Sequence, residues 1–195
     1  NAEHSLILLN QRTVRIHDWG GVEQLLHLIV VVRNHRGVDA WKEFDGWNYF
    51  EGGTLEILRA LTHKSDGKVL EADIYQNRAV FKNLEPGDRL EIEMICQERR
   101  PGSLAGEFWV EHQFAGAVPV WLSVLDVVSP RALRYQEAIV GIHLNPSNAK
   151  LPGNLLLRRF LVERIPALPT EQFMPHWGDV SSRVVISSLR AWETL

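Results

Sequence analysis

Cysteine, histidine and the carboxylates do most covalent and metal chemistry, and this chain uses them sparingly. Cys96 is the only thiol in 195 residues. A cysteine nucleophile needs a thiolate, a histidine base and an orienting carboxylate within hydrogen-bond reach. Cys96 stands in "DRLEIEMICQ", where Leu90, Ile92, Met94 and Cys96 alternate with Glu91, Glu93 and Gln97. That is the period of a half-buried strand. The thiol is therefore predicted on the apolar face, where burial raises its pKa and makes it inert. The eight histidines, His4, His17, His27, His35, His63, His112, His143 and His176, are scattered. They form no HExxH and no close Cys/His cluster. His27 interrupts an apolar run and reads as a hydrogen-bonded histidine rather than a ligand. Asp66 in "KSDG" and Asp88 in "LEPGD" are explained by turn chemistry rather than by a catalytic carboxylate pair. The glycine pairs of "HDWGG" and "EGG" lack the spacing of a phosphate-cradling loop. No catalytic residue, cofactor-binding residue, cofactor or metal ligand is expected.

Aromatic residues are the stronger signal. The chain has seven tryptophans, and "DAWKEFDGWNYFEGG" (39–53) gathers Trp41, Phe44, Trp47, Tyr49 and Phe50. Such rings either fill the space between two sheets or form a platform that stacks on a sugar or fills a partner's groove. Trp177 and Trp192 lie in or after a later proline-rich stretch. The candidate interaction surface is therefore Trp41, Trp47, Tyr49, Phe50, Trp177 and Trp192.

The elements that must position these residues are strands. "LAGEFWVEHQF" alternates as clearly as the Cys96 stretch, with Leu104, Phe108, Val110 and Phe114 opposite Glu107, Glu111 and Gln113. The polar "ERRPGS" between the two predicts a hairpin. Further strands are predicted at "SLILLN", "RTVRIH", "LLHLIVVVRN", "TLEILRALT", "KVLEAD", "AVF", "VPVWLSVLDVV", "QEAIVGIHL", "NLLLRRFLVER" and "RVVISSL". Any helix is expected to be short: "PRALRY" is a candidate turn, and "SLRAWETL" is the candidate start of a helix at the end. Frequent short strands without a helical period between them predict an all-β fold, a mainly antiparallel β-sandwich. "IPALPTEQFMPHWGDV" (165–180) holds three prolines and little periodicity, so it reads as an extended connector. Residues 1–164 are thus expected to form the sandwich and 165–195 a segment packed across it.

Composition narrows the class. Hydrophobic residues make up 45% of the chain, enough for a core. The 21 basic and 24 acidic residues are intermixed, with no basic stripe to bind phosphates, which argues against nucleic acid. No apolar run approaches the roughly 20 residues of a membrane span. The chain opens at Asn1 without a signal pattern, so it reads as a piece of something longer.

The order of three stretches carries a resemblance. "LEILRALTHKSDGKVLEAD", "AVFKNLEPGDRLEIEM" and "FWVEHQFAGAVPVWLSVLDVVSPRALRY" follow one another, and "RIPALPTEQFMPHWGDVSSRVVISSLRAW" closes the series. Together they resemble a bacterial domain of unknown function found N-terminal to transglutaminase-like domains. The resemblance covers roughly residues 12–192. It implies an exported or periplasmic multidomain protein whose catalytic part is a papain-like Cys-His-Asp domain following this chain. It also implies that this part is a non-catalytic accessory module for domain packing or recognition of a partner or substrate. The alternative is a carbohydrate-binding module that uses the aromatics at 41–50. The expected partners are the downstream domain and a protein or glycan ligand.

Overall fold

The computed structural model describes residues 3–50, 53–98, 105–169, 175 and 177–189. The described residues form fourteen strands and little helix. Eight strands build one long sheet: β1 (Ser5–Ile16), β2 (Val22–Val32), β4 (Thr54–His63), β5 (Val69–Glu71), β8 (Arg89–Glu98), β10 (Val120–Pro130), β12 (Ser147–Leu151) and β13 (Leu155–Ile165). Their order is β12-β13-β10-β1-β2-β8-β4-β5. Two three-stranded sheets complete the fold. One has the order β3-β7-β6, from Glu43–Asp45, Arg78–Val80 and Asp73–Tyr75. The other has the order β11-β14-β9, from Gln136–Val140, Arg183–Ser187 and Trp109–Gln113. Helix α1 (His35–Trp41) follows β2, and the short α2 (Trp177–Val180) precedes β14.

The expected all-β class holds. Pairing is antiparallel except between β1 and β10, which run parallel in register Val14↔Val127. The second layer is split, and so is the core. One cluster joins Leu26, Leu28, Ile92, Met94 and Cys96 to Trp41, Phe44 and Phe81. The other joins Val14, Ile16, Val22 and Leu125 to Phe108, Val110, Val184 and Ile186. Val22, Leu26 and Leu28 share one parity on β2, so both clusters lie on the same face of the long sheet. The two small sheets therefore sit side by side over that face.

Local chemistry explains the turns. Gly67 (φ 87°) closes the β4–β5 hairpin, and the Asp66 carboxylate accepts the Lys68 amide at 3.0 Å. Gly87 (φ 98°) turns the chain into β8, and the buried Asp88 accepts the Glu85 amide and the Lys64 ammonium, each at 2.7 Å. Both aspartates thus serve the turns.

Several sequence-level expectations need correcting. β8 and β9 do not form a hairpin. Both edges of β8 are taken, by β2 and β4, so β9 must pair elsewhere and does so with β14. "SLILLN" and "RTVRIH" are one strand, kinked where the register shifts between Ile7 and Leu9. The turn expected at "PRALRY" is present, closed by Leu133 N–H donating to the Pro130 carbonyl. The helix expected at the end of the chain falls mostly outside the described residues. α1 was not foreseen; Asn34 caps it, its side chain accepting from the Gly37 amide. β14 is more than a strand lying against the fold, since it is the central strand of its sheet.

Candidate functional site

The split core leaves a polar seam on the covered face. Register places Arg12 opposite Leu26, Gln24 opposite Val14 and Cys96, and Glu98 opposite Val22. Arg12, Gln24 and Glu98 therefore step diagonally across β1, β2 and β8, between the two apolar clusters. The seam floors a cleft of about 790 Å³ between the two small sheets.

Arg12 ties the long sheet to β9 and to the turn that follows β3. Its Nη2 donates to the Tyr49 carbonyl at 2.8 Å and its Nη1 to the Glu111 carbonyl at 3.1 Å. The guanidinium lies 4.9 Å from the Phe50 ring centroid, a cation–π arrangement. Burial pulls its pKa down to about 10, with Glu98 opposing that shift, so it stays charged at neutral pH. Gln24 is 4% exposed, and its Nε2 donates to Glu98 at 2.6 Å. Two sealed atoms in this seam, Arg12 Nε and Gln24 Oε1, have no partner among the described residues. Buried polar atoms are usually satisfied, so this pair is an exception within the seam.

The aromatic cluster divides. Trp41, Phe44 and Phe50 belong to the core, whereas Trp47 is 44% exposed and Tyr49 is half-buried. Phe44 and Tyr49 stack at 5.3 Å, and burial pushes the Tyr49 phenol up to about 12. All five line the cleft, joined from the other side by Trp109. Trp177 opens α2. Trp192 lies outside the described residues.

Other chemistry-bearing groups are engaged. Cys96 is fully buried, and burial, aided by Glu98, pushes its thiol up to about 11. His112 is sealed beside Phe114, and its Nε2 meets the Ser123 hydroxyl at 3.1 Å. Burial, and then the Arg12 charge, hold its pKa well below 6.5, so it is neutral. On the opposite face, His27, Glu91 and Glu93 come within reach of a shared cation. Arg59 already spans both carboxylates at 2.7 and 2.8 Å, and His63 meets Glu91 at 2.7 Å. Burial pushes Glu91 up, but His63, Arg59 and His27 together hold it below its usual value. This is a closed ion network around an arginine.

Sequence reasoning found the aromatic half of the cleft and missed the seam. Its one signal was the inward parity of Arg12 with Val14 and Ile16, obscured because Arg15 in the same strand points outward.

No protein-family model matches the chain, and no curated protein matches it. Solved structures do. A provisionally named protease from Parabacteroides distasonis ATCC 8503 superposes with TM-score 0.80 at 15% identity, over 98% of this chain and 41% of that one. An M1 zinc metallopeptidase from Deinococcus radiodurans superposes with TM-score 0.50 at 12% identity, over 94% of this chain and 42% of that one. These likenesses establish a shared fold. The chain spans about two fifths of the length of each of these structures.

Proposed function

We propose that this chain is a non-catalytic accessory module that packs against a hydrolytic domain of a larger protein and helps recognise that domain's substrate or partner. The observation that carries the reading is the recurrence of this fold as about two fifths of two larger proteins whose names are those of peptidases. The state of the reactive groups is consistent with it. The thiol is sealed and protonated, the buried imidazole rests on a serine, and Glu91 is held by an arginine and two histidines. The resemblance of the sequence implies a transglutaminase-like domain as the neighbour, whereas the names of the similar structures favour a peptidase.

The test is to express the chain alone and joined to whatever its gene encodes after Leu195. The chain alone is expected to turn over neither peptide nor glutaminyl substrates. In the joined protein, each part should melt at a higher temperature than it does by itself. Inhibition of the joined protein by thiol alkylation would identify a transglutaminase-like neighbour, and inhibition by chelation a metallopeptidase. A gene encoding nothing further, or turnover by the purified chain alone, overturns the reading. A second reading, a carbohydrate-binding module, is favoured by the exposure of Trp47 at the cleft. It requires soluble glycans to shift tryptophan fluorescence saturably, and Trp47→Ala to abolish that shift.

A further inference from the structure

We propose that His27, Glu91 and Glu93 bind a divalent transition-metal ion of the zinc class, which displaces Arg59 from between the two carboxylates. The site lies on the face of the long sheet opposite the cleft. It stands independently of the recognition reading above.

Three neighbouring strands build the site. β8 carries Glu91 and Glu93 two residues apart, so both carboxylates rise from one face. β2 sets His27 directly across from Glu93, and β4 sets Arg59 across from Glu93 on the other side. All three ligands stand on paired strands rather than loops, so their positions are fixed before an ion arrives. Ile29 and Leu61 stand opposite Glu91 and give the site half-buried apolar flanks.

The spacing suits an ion. Two ligand atoms about 2.1 Å from one tetrahedral ion lie about 3.4 Å apart. His27 Nε2 lies 3.1 Å from Glu91 Oε1 and 3.8 Å from Glu93 Oε1. One imidazole and two carboxylates are a donor set that zinc accepts, with a fourth position left for water. His63 supplies the outer support that a metal-binding carboxylate needs. Its Nε2 meets Glu91 Oε2 at 2.7 Å, which holds the second oxygen and leaves Oε1 toward His27.

The position already attracts a cation. Arg59 Nη2 donates to Glu91 Oε1 at 2.7 Å and to Glu93 Oε1 at 2.8 Å, so it bridges the same two oxygens that the metal would take. A guanidinium spreads one charge over a planar group. A divalent ion brings two charges to about 2.1 Å from each oxygen. The Arg59 side chain is 45% exposed, so it can swing into water without opening the core. His27 Nε2 faces a carboxylate and carries its proton there. The metal takes that nitrogen's lone pair, and the proton passes to solvent or, through solvent, to Nδ1.

The test is calorimetric titration of the full chain, stripped with a chelator and dialysed, with zinc chloride. One ion per chain is expected. Arg59→Ala removes the competing cation and should tighten binding by about tenfold or more. His27→Ala and Glu93→Gln each remove a ligand and should weaken it by about a hundredfold or more. The second of these keeps the size and shape of a half-buried surface side chain, so it serves if the first does not fold. His63→Ala loses the bond that orients Glu91 and should cost about tenfold to a hundredfold. His143→Ala, at an exposed histidine elsewhere, should change nothing. Three results overturn the proposal: no saturable binding below about 0.1 mM free zinc, undiminished binding by Glu93→Gln, or weaker binding by Arg59→Ala. The second would mean an adventitious ion on other histidines, and the third that the arginine supports the site rather than competes for it.

Discussion

His112 shows how a single residue's surroundings determine what it can do. A scattered histidine in the sequence becomes, once sealed beside Phe114 and placed on Ser123, a neutral packing element rather than a base. The pH consequence has a definite sign. Unfolded, His112 titrates near 6.5; folded, its pKa lies well below that. Between those values the unfolded chain binds a proton that the folded chain refuses, so stability falls as pH drops below about 6.5. One pH unit within that window is worth about 1.4 kcal/mol. Glu91 acts in the same direction at lower pH. Its folded pKa is depressed, so its contribution is present above the usual carboxylate value and is lost as the carboxylate protonates. We expect His112→Gln to melt below wild type at pH 7.5, and to show a smaller drop in melting temperature than wild type on going to pH 5.5. Parallel shifts in the two proteins would remove His112 as a source of the pH dependence.

At the scale of elements, α1 is a sharp local test. It is seven residues long, too short to persist alone, and its stability comes from its cap and from what it lies on. Gly37 brings the helix so close to the start of β1 that a Cβ there would stand 2.2 Å from the His4 carbonyl oxygen. That neighbour is backbone and cannot rotate away. Gly37→Ala should therefore cost about 1–3 kcal/mol, read as a lower urea midpoint with an unchanged slope. An unchanged midpoint would mean that the helix shifts freely over the sheet. The same helix delivers Trp41 to the core, so a larger loss would accompany lower cooperativity of unfolding.

For the whole molecule, the last described strand is part of the second layer. Val184 and Ile186 of β14 are fully buried, and β14 is the only partner of β9 and of β11 among the described residues. Ending the chain after Ile165 would remove both side chains and leave unfilled the space they occupy beside His112 and Val110. Burial of one large aliphatic side chain is worth roughly 1.5–3 kcal/mol, against a total of about 5–15 kcal/mol for a domain. The truncated chain should melt roughly 10 °C lower or more by differential scanning calorimetry. An unchanged melting temperature would show that the second cluster holds without β14. Because the seam of Arg12, Gln24 and Glu98 divides the two clusters, the destabilisation should fall mainly on the side of the second cluster.

Period-two alternation determined much of this protein without help from its fold. A strand reads its own burial from its own residues, so Leu90, Ile92, Met94 and Cys96 could be assigned to an interior face from sequence alone. The turns at Asp66–Gly67 and Gly87–Asp88 were equally legible, because their chemistry is local. Strand pairing was not. Which edge of β8 is free depends on β2 and β4, dozens of residues away, so the expected hairpin with β9 could be corrected only by the sheet itself. The cleft has the same origin. Alternation puts Arg12 on the face of Val14 and Ile16 and Arg15 on the other, but it does not say what an inward arginine meets. Arg12 becomes a bridge only because register sets it diagonally beside Gln24 and Glu98, within reach of one carbonyl from β9 and one from the turn that follows β3. Side-chain direction is a property of the strand, whereas a site assembled across strands is a property of their packing.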